Sequence, residues 1–153
     1  MDDDLRELYQ EMIRDHGRRP RNKGSIEGAL ASAGKNPICG DNVTVFVKAD
    51  GNKINDIKFE GSGCEICMAS ASMMTEMVKG KERGDIENLF AGFRGFLMTG
   101  SPTDELGKLQ AFSGVHKFPI RVKCAVLPWH AMIAAFDGTA EVSTEKEEGQ
   151  KLS

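Results

Sequence analysis

No run of the sequence approaches the roughly 18 consecutive apolar residues that a membrane-spanning helix requires. The best candidate, Ala125–Phe136, is short and contains Pro128 and His130. The start also lacks the basic-then-apolar pattern of an export signal; it reads Met1-Asp2-Asp3-Asp4-Leu5-Arg6-Glu7. Nor is there a cationic excess. Twenty Lys and Arg face 23 Asp and Glu, for a net charge of −3. That balance excludes a globally basic nucleic-acid binder and a strongly acidic disordered chain. Cysteine is scarce: Cys39, Cys64, Cys67 and Cys124 are too few in 153 residues for a disulfide scaffold. A chain of this length buries about two thirds of its unfolded surface and needs no covalent staples. The expected setting is therefore the cytoplasm, without membrane or nucleic acid. Thiols stay reduced there, and the cysteines read as metal ligands or reactive groups.

The patterning that is present indicates α+β, with a small antiparallel sheet of about three strands against several helices. Leu5, Leu8, Met12 and Ile13 predict an amphipathic helix from Asp4 to His16, ended by Gly17. The basic stretch Arg18–Gly24 reads as a solvated loop, since it has no interleaved aromatics. Ala29–Ala33 could form a short strand. Val43, Val45, Val47 and Ala49 alternate with polar neighbours, and Asp50-Gly51 turns the chain into a returning strand, Lys53–Glu60. The period then becomes helical from Ile66 to Val78, closing at Gly80. Its methionines read as adaptable core filler. Asp85 is the expected N-cap of a phenylalanine-rich helix. Leu106 and Leu109 suggest a short helix, and Pro128 is expected to begin or kink the last one. Residues 1–138 are read as one domain and residues 139–153 as a polar, disordered tail.

The cysteines sit at chain breaks. Cys39 lies between Pro37 and Gly40, and Cys64 follows Gly61 and Gly63 at a strand-to-helix junction. Cys124 lies close before or within the last helix. Glycines let the chain turn a side chain toward a shared point. A helix N-terminus favours a thiolate at Cys64 and Cys67. If the loop around Cys39 is extended, Asp41 points the same way as Cys39. Cys39, Asp41, Cys64 and Cys124 would then offer three sulfurs and one oxygen, a set that zinc accepts in tetrahedral geometry. Three thiolates and a carboxylate around a dication leave a net negative centre, for which Arg121 and Lys123 are nearby counter-charges. The spacing alone is not diagnostic. A zinc ribbon would show two CxxC pairs, and Cys64-Glu65-Ile66-Cys67 is the one such pair here, without a thioredoxin-like βαβ setting.

Three segments resemble the motifs of one family. Asn36-Pro37-Ile38-Cys39-Gly40-Asp41 is similar to the first motif of the U-type iron–sulfur cluster assembly proteins, the IscU/SufU (NifU N-terminal-like) family. Gly61-Ser62-Gly63-Cys64, running into Ala69–Met74 and Val78–Lys81, resembles the second, and Phe118–Ala125 the third. Leu8-Tyr9, Asp15-His16 and Pro20–Gly24 resemble its N-terminal region. Lys123, where scaffold-type members carry histidine, and the long path from Asp85 to Val115 resemble the SufU branch. The resemblance implies a SufE/NifU (IscU-like) fold and zinc on Cys39, Asp41, Cys64 and Cys124. It implies a sulfurtransferase-like role, in which Cys39 accepts persulfide sulfur from a SufS-type cysteine desulfurase and passes it toward downstream iron–sulfur assembly proteins. In the family a desulfurase histidine is thought to replace the first cysteine on zinc and free it to attack. The alternative it implies is a scaffold holding iron or a transient [2Fe–2S] cluster on the same ligands. A zinc-stabilised interaction domain without chemistry is a third reading. Cys67 departs from the family pattern. It reads as apolar filler, with a resolving thiol or an alternative ligand as its other readings.

Overall fold

The structure, a computed structural model, describes residues 3–138 and 141–143. The chain runs α1 (Asp3–Arg18), β1 (Leu30–Asn36), β2 (Asp41–Asp50), β3 (Lys53–Ser62), α2 (Glu65–Val78), α3 (Arg83–Thr99), two 3₁₀ segments (Asp104–Phe112 and Val115–Lys117), α4 (Pro119–Phe136) and β4 (Glu141–Ser143). This is the expected α+β arrangement. β1, β2 and β3 form an antiparallel sheet, and β4 adds a short parallel edge in the order β3-β2-β1-β4.

Period-two alternation puts Val43, Val45 and Val47 of β2 and Ile54, Ile57 and Phe59 of β3 into the core. Each such burial contributes about 1.5–3 kcal/mol relative to exposure. The core face is covered by α2 and α4, whose sequences are apolar on most sides. α4 comes unusually close at Gly34 of β1, where a Cβ would meet Leu127 Cδ1 at 3.0 Å. Ser70 of α2 ties the two helices together. Its hydroxyl donates to the Ala125 carbonyl and accepts from Trp129 Nε1 at 3.1 Å. Trp129 in turn stacks on Phe90, at 5.6 Å between centroids, so the phenylalanines of α3 are core. Met73 and Met74 are buried filler as expected, whereas Met98 is exposed.

Several sequence expectations need correction. Gly17 lies inside α1 rather than ending it. It is there for space: a Cβ would fall 2.5 Å from Glu65 Cγ, where α1 crosses the start of α2. The basic loop is not free in solvent. Gly24 N–H donates to the Phe59 carbonyl and Phe59 N–H to the Asn22 carbonyl, clamping the loop to β3. The first strand is Leu30–Asn36 and β3 continues to Ser62, because pairing with β2 extends both. α3 starts at Arg83 after Glu82, so Asp85 sits in its first turn, where its charge complements the helix dipole rather than capping. α4 begins at Pro119, and Pro128 lies in its interior. There its missing N–H leaves the Cys124 carbonyl without its helical donor. Most of the expected tail lies outside the described residues, but Glu141–Ser143 within it pairs with β1. No helix among the described residues is long and apolar enough to cross a membrane.

Candidate metal centre

Three chain breaks converge at one end of the sheet. β1 and β2 are joined by a tight hairpin in which Asn36 faces Asp41. Its loop is turned, not extended as the i, i+2 argument assumed. Gly40 adopts φ +73° between Cys39 and Asp41, a conformation that favours glycine. The turn nevertheless brings the two side chains together. Cys39 Sγ, a carboxylate oxygen of Asp41 and Cys124 Sγ all lie within 4.8 Å of one another. Asp41 and Cys124 are buried, while Cys39 is half-buried on the turn.

Cys64 joins this cluster through hydrogen bonds. It is the N-cap of α2, and its Sγ accepts from the Cys67 N–H at 3.4 Å. Its own N–H donates to Asp41 Oδ1 at 2.8 Å. Its thiol also interacts with that of Cys124, and each shifts the other's ionisation. Gly63 is required for space: a Cβ there would lie 2.6 Å from Asp41 Oδ1.

These contacts divide the protons unequally. The Cys124 thiol, helped by backbone N–H groups of Cys67 and Ile66, holds the Cys64 thiol down at about 7, against burial and the Asp41 charge. Cys124 is pushed up, first because its proton is shared with Cys64, then by burial and by Asp41 and Cys39. Burial pushes the Cys67 thiol well up, and the charges of Asp41, Cys64 and Cys39 add to it. The acidic groups thus repel one another's ionisation, a conflict that a bound cation would reverse. Three sulfurs and a carboxylate suit a borderline-soft divalent ion.

The structure brings Cys39, Asp41 and Cys124 within 4.8 Å of one another; Cys64 is outside that group and is tied to it by its N–H on Asp41. Cys67 is fully buried beneath Cys64 in the first turn of α2. Arg121 is exposed, with its guanidinium 5.4 Å from the centroid of the Phe118 ring. Lys123 is buried in α4 beside Cys124 in sequence. Sequence reasoning missed a role for Asn36. Its Nδ2 donates to Asp41 Oδ2 at 3.4 Å and to Cys124 Sγ at 3.5 Å, so it braces two members of the cluster. The available signal was its hairpin position opposite Asp41.

An α+β domain that gathers two thiols and a carboxylate at the end of its sheet, with a third thiol beside them, has the donors for a metal centre. The chain belongs to the NifU-like N terminal domain family, whose model matches residues 8–125. It is 44% identical over 147 residues to the zinc-dependent sulfurtransferase SufU of Bacillus subtilis, covering 93% of this chain and 92% of that one. It is 39% identical to the iron–sulfur cluster assembly scaffold protein IscU of Streptococcus pyogenes, over 89% and 87% of the two chains. Among solved structures it resembles a protein described as a candidate iron–sulfur cluster assembly scaffold for the SUF system, from Fervidobacterium islandicum. That match has a TM-score of 0.76 at 38% identity and covers 83% of this chain and 95% of the other.

Proposed function

We propose that this protein is a zinc-dependent sulfur carrier of cytoplasmic iron–sulfur cluster assembly. On this reading Cys39 takes sulfur from the persulfide of a SufS-type cysteine desulfurase and delivers it to downstream assembly proteins. The observation that carries the reading is the donor set: Cys39 on a glycine turn, close to buried Asp41 and Cys124, with Cys64 hydrogen-bonded to Asp41. The residues that would hold zinc are Cys39, Asp41, Cys64 and Cys124. Bound zinc would keep the thiols ionised at neutral pH.

The rest is the work of the chain. Asn36 and the Cys64 N–H fix the Asp41 carboxylate from two sides. Gly40 keeps Cys39 on a turn, where an incoming group can reach it. The Cys39 thiolate attacks the outer sulfur of the partner persulfide. A new S–S bond forms on Cys39, the old one breaks, and the desulfurase cysteine leaves as a thiolate, with no net oxidation. Exposed Ile38, beside Cys39, and exposed Phe118 and Ile120, at the start of α4, supply apolar surface for a docked partner. Arg121 lies on that same helix start, where it meets a partner's acidic groups.

The test is turnover of a SufS-type desulfurase with and without this protein. Stimulation is expected, together with one added sulfur atom on Cys39. If Cys39→Ala or zinc removal leaves the stimulation intact, the reading fails.

A [2Fe–2S] scaffold is the second reading, favoured by the carboxylate in the donor set, a more readily exchanged ligand than a fourth thiolate. Anaerobic reconstitution with iron and sulfide separates the two. A chromophore that transfers to apo-ferredoxin would promote the scaffold.

A further inference from the structure

Cys67 is the one thiol that the sulfur-carrier reading leaves unused, yet its placement is specific. Cys64 is the N-cap of α2 and Cys67 its third helical residue. The turn between them is closed: the Cys64 carbonyl accepts from Met68 N–H at 3.0 Å, and Cys64 Sγ accepts from Cys67 N–H at 3.4 Å. Helix geometry sets the Cα atoms of such a pair about 5 Å apart. A disulfide needs about 4.4–6.8 Å. The capping bond already turns the Cys64 sulfur toward the backbone of Cys67. The two thiols also differ in access. Cys64 is half-buried and meets solvent, whereas Cys67 is fully buried. An oxidant therefore reaches Cys64 first, and Cys67 waits behind it without meeting the oxidant.

We propose that Cys64 and Cys67 form an oxidation-capture pair, a peroxide-sensitive modification site at the edge of the metal centre. Peroxide oxidises the Cys64 thiolate to a sulfenic acid and leaves as water or hydroxide. The Cys67 sulfur then attacks Cys64 Sγ. An S–S bond forms, the S–O bond breaks, and a second water departs with the Cys67 proton. Overall two thiols lose two electrons and one peroxide gains them. A dithiol reductant reverses the change by thiol exchange. The capture spares Cys64 the irreversible sulfinic acid. It also withdraws the Cys64 sulfur from the proposed donor set it shares with Cys39, Asp41 and Cys124. That last consequence rests on the proposed metal site, whereas disulfide formation does not.

Trypsin cleavage after Lys58 and Lys79 releases residues 59–79, which contain Cys64 and Cys67 and no other cysteine. The full-length protein, as purified and after chelation, is exposed to limiting hydrogen peroxide. Free thiols are alkylated, disulfides are reduced, and the released thiols receive a second label. Both second labels are expected on residues 59–79, with Cys39 and Cys124 carrying the first. In Cys67→Ser and Cys67→Ala, checked for fold by circular dichroism and given peroxide in excess of two equivalents per Cys64, Cys64 is expected to proceed to sulfinic acid and to lose its recovery by dithiothreitol. First label on Cys67 in the oxidised protein, or a disulfide from Cys64 to Cys39 or Cys124, overturns the proposal. So does unchanged recovery of Cys64 in both variants. Zinc content and desulfurase stimulation are measured in parallel. A disulfide without zinc binding sinks the sulfur-carrier reading alone; zinc binding and sulfur acceptance without the disulfide sink this inference alone.

Discussion

The backbone N–H of Cys64 donates to Asp41 Oδ1 at 2.8 Å, joining the cap of α2 to the first residue of β2 across 23 positions of sequence. One carboxylate oxygen thus orders the second cysteine motif around the first. Asp41→Ala removes that acceptor from a buried site. In the metal-free protein it is expected to cost about 1–3 kcal/mol, read as a lower urea midpoint. Asp41→Asn keeps an amide oxygen there and should recover most of that loss, while still losing the charge needed for tight zinc binding. Equal stability of the two variants would show that the hydrogen bond contributes nothing.

Gly63 tests the same geometry from the other side. Gly63→Ala would force a Cβ within 2.6 Å of Asp41 Oδ1. Zinc affinity is expected to fall by roughly 10–100-fold, as for other losses of ligand support, with little change in helix content. Gly95→Ala is the contrast. Its site is an exposed helix interior in α3 with nothing within 4 Å. It should stabilise by up to about 1 kcal/mol and leave metal binding untouched.

Ser70 holds α2 and α4 together, and those helices carry Cys64 and Cys124. Ser70→Ala would leave the buried Trp129 Nε1–H without its acceptor. The expected loss is about 1–3 kcal/mol. That corresponds to a fall in Tm of about 2–12 °C for a chain of this size. A Tm within experimental error of the parent protein would refute the assignment.

His16 gives the fold an acid-sensitive point. It is buried, with Nδ1 2.8 Å from Ser72 Oγ. Burial lowers its pKa below 6.5, and the charges of Arg21 and Lys108 add to this, while Glu76 and Asp15 oppose it. The unfolded chain takes up a proton near 6.5 that the folded state refuses. Stability should therefore fall as pH drops through about 6.5, levelling off once pH is below the lowered folded value. Urea midpoints measured from about pH 8 to about pH 5 should show a shallower decline in His16→Gln than in the parent. Parallel curves would remove His16 from the account.

Much of the fold was legible because it depends on local pattern. The valine alternation of β2 and the Asp50-Gly51 turn survive as expected, and so does the helical period after Cys64. The errors arose where a neighbour decides. Gly17 reads as a helix stop until Glu65 is seen occupying the space of its missing side chain. Pro128 reads as either a start or a kink of the last helix; Pro119 holds the first turn, which leaves Pro128 in the interior. Asp85 has the chemistry of a cap, but the chain enters the helix earlier, at Glu82. The role of Asn36 follows from the pairing that sets it opposite Asp41 across the hairpin.

By itself the sequence determined the candidate donors: three glycine- or proline-flanked motifs, their cysteines, and Asp41 two positions after Cys39. Side-chain chemistry and local backbone freedom are properties of short segments, so they can be read there. Only the tertiary structure decided which thiols meet. Cys39 and Cys124 are far apart in sequence and become neighbours because α4 presses onto β1 at Gly34. Cys67, only three residues from Cys64, is turned into the core by the pitch of the same helix. Long-range packing, not sequence distance, separates the three cluster cysteines from the fourth.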